Sequence, residues 1–135
     1  MNLELAGKTA LVTGSSRGIG FAIARSLVAE GCRVVINGRD EGTLTEAAEA
    51  LGGEVSIQAG DVTDRAVCDK LAAALHRLGA GLEILVCNVG SGVSAPPGEE
   101  TADHWRDMLA LNLTSTTNMV TAAETALAAN KGLSD

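Results

Sequence analysis

The sequence has no tyrosine, and its only large aromatic side chains are Phe21 and Trp105. Any core must therefore be aliphatic, and no phenol is present to act as an acid or base. Cysteine is sparse and odd in number (Cys32, Cys68 and Cys87), with no CxxC pair, and the two histidines, His76 and His104, stand apart. Those absences argue against a structural metal site or a disulfide framework, so no metal is expected. Basic residues are too few for a nucleic-acid or anionic-membrane surface: 10 Lys and Arg face 17 Asp and Glu, a formal net charge of −7. The start, MNLELAGKTA, lacks a basic n-region and a long apolar run. No signal peptide or membrane span is expected, and a reducing cytoplasmic setting is the default.

What is present is enough for one core. A chain of 135 residues, 46% of them apolar, buries about two-thirds of its unfolded surface. Residues 1–135 read as a single domain, with no linker, repeat or low-complexity segment.

Short β-rich runs alternate with runs of helical period. Strands are expected at Thr9–Thr13, Arg33–Asn37, Val55–Ala59 and Ile84–Cys87. Between the first two, Ile19, Ala22, Ile23 and Leu27 share one helical face, and Gly31 stops the helix. Leu44, Ala47, Ala48 and Leu51 mark a second helix, with Thr43 and Glu46 at capping-box spacing and Gly52-Gly53 ending it. Val67, Leu71, Ala74, Leu75 and Leu78 mark a third, from about Asp64 to Leu78. A last, long helix is expected from near Thr101 toward Ala129, with Trp105, Met108 and Leu109 as its inner face. The order βαβαβαβα implies a parallel sheet with right-handed crossovers and helices on both faces.

The first strand runs into Thr13-Gly14-Ser15-Ser16-Arg17-Gly18-Ile19-Gly20, which opens a helix. Glycines allow a tight turn and close approach of backbone to an anion. The helix N-terminus then aims unpaired N–H groups and a positive dipole end at the charge, and Ser15 and Ser16 can add hydroxyl donors. No Gly-Lys-Ser/Thr follows, so this is not a P-loop.

Thr13, Gly14, Gly18, Ile19 and Gly20 form TGxxxGIG, which resembles the fingerprint of the short-chain dehydrogenase/reductase family, and further motifs follow in order along essentially the whole chain. The resemblance implies a Rossmann-type, doubly wound parallel sheet in a three-layer αβα arrangement, strand order 3-2-1-4, cut before a fifth strand. It also implies a pyridine dinucleotide. Asn37-Gly38-Arg39-Asp40 stands where this fold meets the adenosine ribose. An acid there bonds the 2′-hydroxyl, whereas an arginine accepts a 2′-phosphate. Arg39, with Arg17 from the glycine loop, points to NADP(H); Asp40 could bind a ribose hydroxyl instead. Asp61 and Val62 match the family's contacts to the adenine ring, although an Asp before a helix also serves as a cap. Asn88 and Gly90 of Cys87-Asn88-Val89-Gly90 match the family's Asn-Asn-Ala-Gly, set beside the cofactor ribose. Cys87 replaces a polar residue expected to brace the sheet, and it is a poor nucleophile because nothing nearby lowers its pKa. Asn112 matches the asparagine that helps hold a water for the family's proton relay.

The family's serine and its Tyr-x-x-x-Lys are missing, the sequence closing at Lys131-Gly-Leu-Ser-Asp135. In the family the tyrosine moves the substrate proton and the lysine lowers its pKa. The expectation is therefore the NADP(H)-binding portion of an oxidoreductase for a carbonyl or alcohol substrate, with a 3-oxoacyl-thioester reductase among the alternatives, not competent alone. A non-catalytic nucleotide-binding or interaction module is the other reading. A methyltransferase is disfavoured by Arg39, where that class prefers an acid. An unpaired fourth strand predicts self-association or pairing with a missing half.

Overall fold

The computed structural model describes residues 2–77 and 81–128. Four parallel strands, β1 (Thr9–Val12), β2 (Arg33–Gly38), β3 (Val55–Ala59) and β4 (Ile84–Val86), lie in the order β3-β2-β1-β4. Helices α1 (Gly18–Ala29), α2 (Glu41–Leu51) and α3 (Arg65–Arg77) connect them. After β4 a loop leads to α4 (Ala102–Leu109), a π-helical segment (Ala110–Thr114) and α5 (Ser115–Ala128). This is the Rossmann-type, doubly wound order expected from the sequence.

The layers arise from period-two alternation in strands covered on both sides. On one face Leu11 and Val35 pack with Cys68, Leu71 and Leu75 of α3 and with Met119, Ala123 and Ala126 of α5. On the other, Val12, Val34 and Ile36 pack with Ala24 of α1 and with Leu44 and Ala47 of α2. Neither cluster contains an aromatic side chain apart from the half-buried Phe21 beside the second. Register is parallel throughout, with Val12 opposite both Ile36 and Val86. The carboxyl ends of β1, β2 and β4 therefore finish close together.

Strand β1 stops at Val12, one residue before Thr13, and three further expectations need correction. Helix α2 begins at Glu41, not near a Thr43 cap. Asp40 is its N-cap, its carboxylate accepting the Thr43 N–H at 2.7 Å, so the Thr43–Glu46 spacing is inside the helix. Strand β4 stops at Val86, one residue before Cys87. The last helix is not continuous, and its assigned inner face is outside: Trp105 is 63% and Leu109 51% exposed, and α4 has no buried residue. The π segment interrupts the regular repeat between α4 and α5. It inserts about one residue into the helical repeat, which rotates the α5 faces by roughly 100° relative to α4. The stripe begun at Trp105 thus misses the face on which α5 presents Met119, Ala123 and Ala126. The expected Leu78 and Ala129 helix ends lie outside the described residues.

Other signals match. Gly31, Gly52 and Gly53 all have positive φ just past helix ends. Thr101 opens α4 through a reciprocal cap with His104. Among the described residues no helix is long and apolar enough to cross a membrane.

Candidate functional site

The strand order reverses direction between β1 and β4, so a crevice opens at the carboxyl edge there, where α/β sheets take ligands. Its floor is the loop from Thr13 to Arg17. Gly14 has φ +60° and Gly18 φ +62°, backbone conformations that side chains disfavour. Gly20 has an ordinary φ but no room: a Cβ there would overlap the Gly14 carbonyl oxygen and lie 2.6 Å from Asn88 Nδ2. Helix α1 can close onto the loop only because position 20 is bare.

The N-terminus of α1 differs from those of its neighbours. Asp40 caps α2 and Thr101 caps α4 with side chains, whereas Arg17 caps α1 with none, and the first turn of α1 holds no acid. Ile19 is 75% exposed there. The opening turn thus presents backbone N–H groups and a positive dipole end without an internal counter-charge, the arrangement that suits phosphate. Arg17 and Arg39 are both exposed, and neither forms an ion pair among the described residues.

Other residues singled out in the sequence divide by where their side chains go. The Ser15 hydroxyl is fully buried, donating to the Val12 carbonyl at 2.6 Å; it is committed to the strand end rather than to a ligand. Ser16 is half-buried above Gly38. Asn37 is buried, with its amide spent on backbone partners. Val62 turns into the core beside Leu11, which leaves only its main chain for a ring. Asp40, as the α2 cap, folds back onto its own helix.

Asp61 is exposed after β3 and accepts from the Thr63 hydroxyl (2.7 Å) and N–H (2.9 Å). These bonds, hydroxyl first, hold its carboxyl below the usual range, and the positive charge of Arg39 adds to the effect. It is not the helix cap: Asp64 does that for α3, accepting from the Ala66 N–H.

At β4, Asn88 reaches back to β1. Its N–H donates to Thr13 Oγ1 at 3.0 Å and its Nδ2 to the Gly14 carbonyl at 3.0 Å. Asn88 and Thr13 therefore supply a brace even though Cys87 cannot. Thr13 was legible only as the residue before the glycines. Cys87 is half-buried against the core, and burial pushes its thiol up, leaving it protonated rather than nucleophilic. Asn112 lies on the π segment. Its Oδ1 accepts from the Ser91 N–H at 2.8 Å and its Nδ2 donates to the Met108 carbonyl at 3.1 Å. A Cβ on Gly90 would stand 2.8 Å from that Oδ1, so Gly90 permits the contact. Among the described residues no group of three or more His, Cys, Asp or Glu is placed to hold a metal ion.

The short chain dehydrogenase family matches residues 8–133. The chain belongs to that family. A glucose 1-dehydrogenase of Gluconobacter oxydans is 37% identical over 115 residues, 82% of this chain and 43% of the relative. A rhamnolipids-biosynthesis 3-oxoacyl-(acyl-carrier-protein) reductase of Pseudomonas aeruginosa is 40% identical over 114 residues, 83% of this chain and 44% of the relative. Among solved structures, L-sorbose reductase of Gluconobacter frateurii, complexed with NADPH and L-sorbose, superposes with a TM-score of 0.90 at 30% identity, over 96% of this chain and 51% of that one. The chain thus spans about half the length of the relatives it matches.

Proposed function

We propose that this chain is the NADP(H)-holding portion of a short-chain dehydrogenase, a single nucleotide-binding domain that takes up the dinucleotide and does not turn over a substrate alone. The observation that carries this reading is the opening turn of α1: no side chain caps it, no acid neutralises it, and neither Arg17, which heads it, nor Arg39, just past β2, forms an ion pair among the described residues. The dinucleotide's pyrophosphate would rest on the N–H groups of Gly18 to Gly20, with Ser16 beside them. Arg39 and Arg17 would take the 2′-phosphate, Asp61 and the Val62 main chain the adenine, and the Asn88–Gly90 backbone the ribose nearer the crevice. When bound, the cofactor supplies or accepts a hydride. Relatives held with NADPH support the choice of cofactor.

Substrate chemistry needs a positioned acid beside the hydride. The family's tyrosine has no counterpart in this sequence, and Asn112, the one relay residue assigned, is a hydrogen-bonding group that does not titrate. A carbonyl or alcohol substrate, 3-oxoacyl thioesters included, is therefore proposed only for a protein that also carries the acid. A non-catalytic nucleotide-binding or interaction module is the second reading. Self-association and a cytoplasmic setting belong to the same proposal. They are supported by the apolar β4 edge and by three free cysteines.

Isothermal titration tests the assignment. The parent is expected to bind NADPH about tenfold or more tighter than NADH, since charge-assisted hydrogen bonds contribute about 1.5–3 kcal/mol each. Arg39→Asp is expected to erase that preference. Equal affinity in the parent removes the NADP assignment, and ketone reduction by the 135-residue chain removes the claim of incompetence.

A further inference from the structure

Resting on the reading of Arg39 as the 2′-phosphate contact, we infer that Asn37 is a positioning residue that fixes the glycine loop against the arginine-bearing end of β2. Asn37 is 1% exposed, so its side chain acts on a cofactor only through what it holds. Its Oδ1 accepts from the Gly14 N–H at 3.4 Å. Its Nδ2 donates to the carbonyls of Gln58 (3.0 Å) and Gly60 (3.1 Å). Its own carbonyl accepts from the Ser15 N–H at 2.8 Å, and its N–H donates to Ser15 Oγ at 3.0 Å. One residue ties together the carboxyl ends of β1, β2 and β3.

The geometry of Gly14 shows what this tie controls. Its N–H is held by Asn37 from β2, and its carbonyl by Asn88 from β4. Two asparagines thus grip the flanking peptide groups of one glycine from opposite sides, at φ +60°. Arg17 comes three residues later and heads α1, while Arg39 lies two residues beyond Asn37. Gly60 N–H donates to the Gly38 carbonyl at 2.9 Å, so the residue just before Arg39 is anchored to the same β3 end. Asn37 therefore sets the spacing between the two segments that carry the guanidinium groups.

The side-chain chemistry is specific. An amide offers two donors and an acceptor on one planar fork. The Asn37→Asp substitution would turn an oxygen toward the Gln58 and Gly60 carbonyls. Leucine would fill similar space and supply none of the three side-chain bonds. A residue that served only as structural support would weaken every ligand alike. A positioning residue changes discrimination, because the 2′-phosphate is read by Arg39 and the rest of the adenosine is not.

The test titrates 2′-phospho-ADP-ribose and ADP-ribose into the parent, Asn37→Leu, Asn37→Asp and a control, Thr9→Val. The control removes a buried hydroxyl, at the opposite end of β1, that has no hydrogen-bond partner among the described residues. The ratio of the two Kd values is expected to shrink by about tenfold in either Asn37 variant and to stay at the parent value in Thr9→Val. A parent ratio retained in a folded Asn37 variant overturns the inference alone. Equal affinities in the parent overturn the Arg39 reading and the inference with it. Should both variants fail to fold, hydrogen exchange in the parent decides. The Asn37 side-chain amide protons are expected to be protected without ligand, and exchange at the rate of a free amide overturns the proposal.

Discussion

Glycine-to-alanine changes at positions 18 and 20 should fail for different reasons. At Gly18 a methyl meets nothing within 4 Å, and the cost is the positive φ alone, about 1 kcal/mol. At Gly20 the φ is ordinary but the methyl would collide with the Gly14 carbonyl, which Asn88 already holds. Neither partner can give way cheaply, so Gly20→Ala is expected to cost about 1–3 kcal/mol and to open the turn. Urea melts of the two variants check the difference, and nucleotide titration should show the larger loss for Gly20→Ala. Both glycines were legible in the sequence as one motif, but their separate reasons were not. A motif records that glycine is needed; only the fold shows whether torsion or space requires it.

The same scale governs Asp61. Its carboxyl is held low in the folded chain by the Thr63 hydroxyl, the Thr63 N–H and Arg39. A group with a folded pKa below its unfolded value stabilises the fold above the unfolded value. That contribution is lost as pH falls through the folded pKa. Asp61→Asn is therefore expected to lower stability at neutral pH and to flatten the acid limb of a stability-versus-pH curve below the ordinary carboxylate range. Identical acid limbs in parent and variant would refute this. The sequence placed Asp61 on a site by resemblance alone, because spacing does not reveal that Thr63, two residues on, supplies both bonds.

At the scale of elements, patterning in the strands was readable because each strand is short, apolar and bounded by glycine or polar residues. Helix starts were less so. Thr43 and Glu46 stand at capping-box spacing, whereas Asp40, read from the sequence only as a possible ribose contact, is the actual cap. The carboxylate of Asp40 takes the Thr43 N–H, so Asp40→Ala should cost about 1 kcal/mol, and Thr43→Ala, which loses only an exposed hydroxyl bond to the Asp40 carbonyl, a few tenths. Comparable losses in thermal melts would restore the Thr43 assignment. The π segment was not legible at all. Asn112 inside it looked like an ordinary helical position, whereas the wider turn lets its side chain bond Met108 one turn back and Ser91 in the loop after β4 together.

For the molecule as a whole, charge, apolar content and strand–helix alternation specified a layered sheet, but not which surfaces it would leave bare. Among the described residues β4 pairs only with β1, and Ile84, Leu85 and Val86 are each half-buried. A strand with apolar residues on both faces is built for the middle of a sheet, so its free edge offers unpaired N–H and carbonyl groups along with apolar area. A second bare surface lies on the α4–α5 arm, where Trp105, Leu109, Leu113 and Val120 are exposed. Patches of this kind favour association. Light scattering coupled to size-exclusion chromatography is expected to give a mass above one chain that rises with concentration. Because the surfaces are apolar, raising the salt should not disperse the species, in contrast to a charge-driven complex. The two surfaces can be told apart. Trp105→Glu with Leu109→Lys touches no buried position of α4, so it should leave the melting temperature near that of the parent. It should abolish association driven by the helical arm and leave association driven by the β4 edge intact. A parent chain that elutes as a monomer at high concentration would contradict both routes.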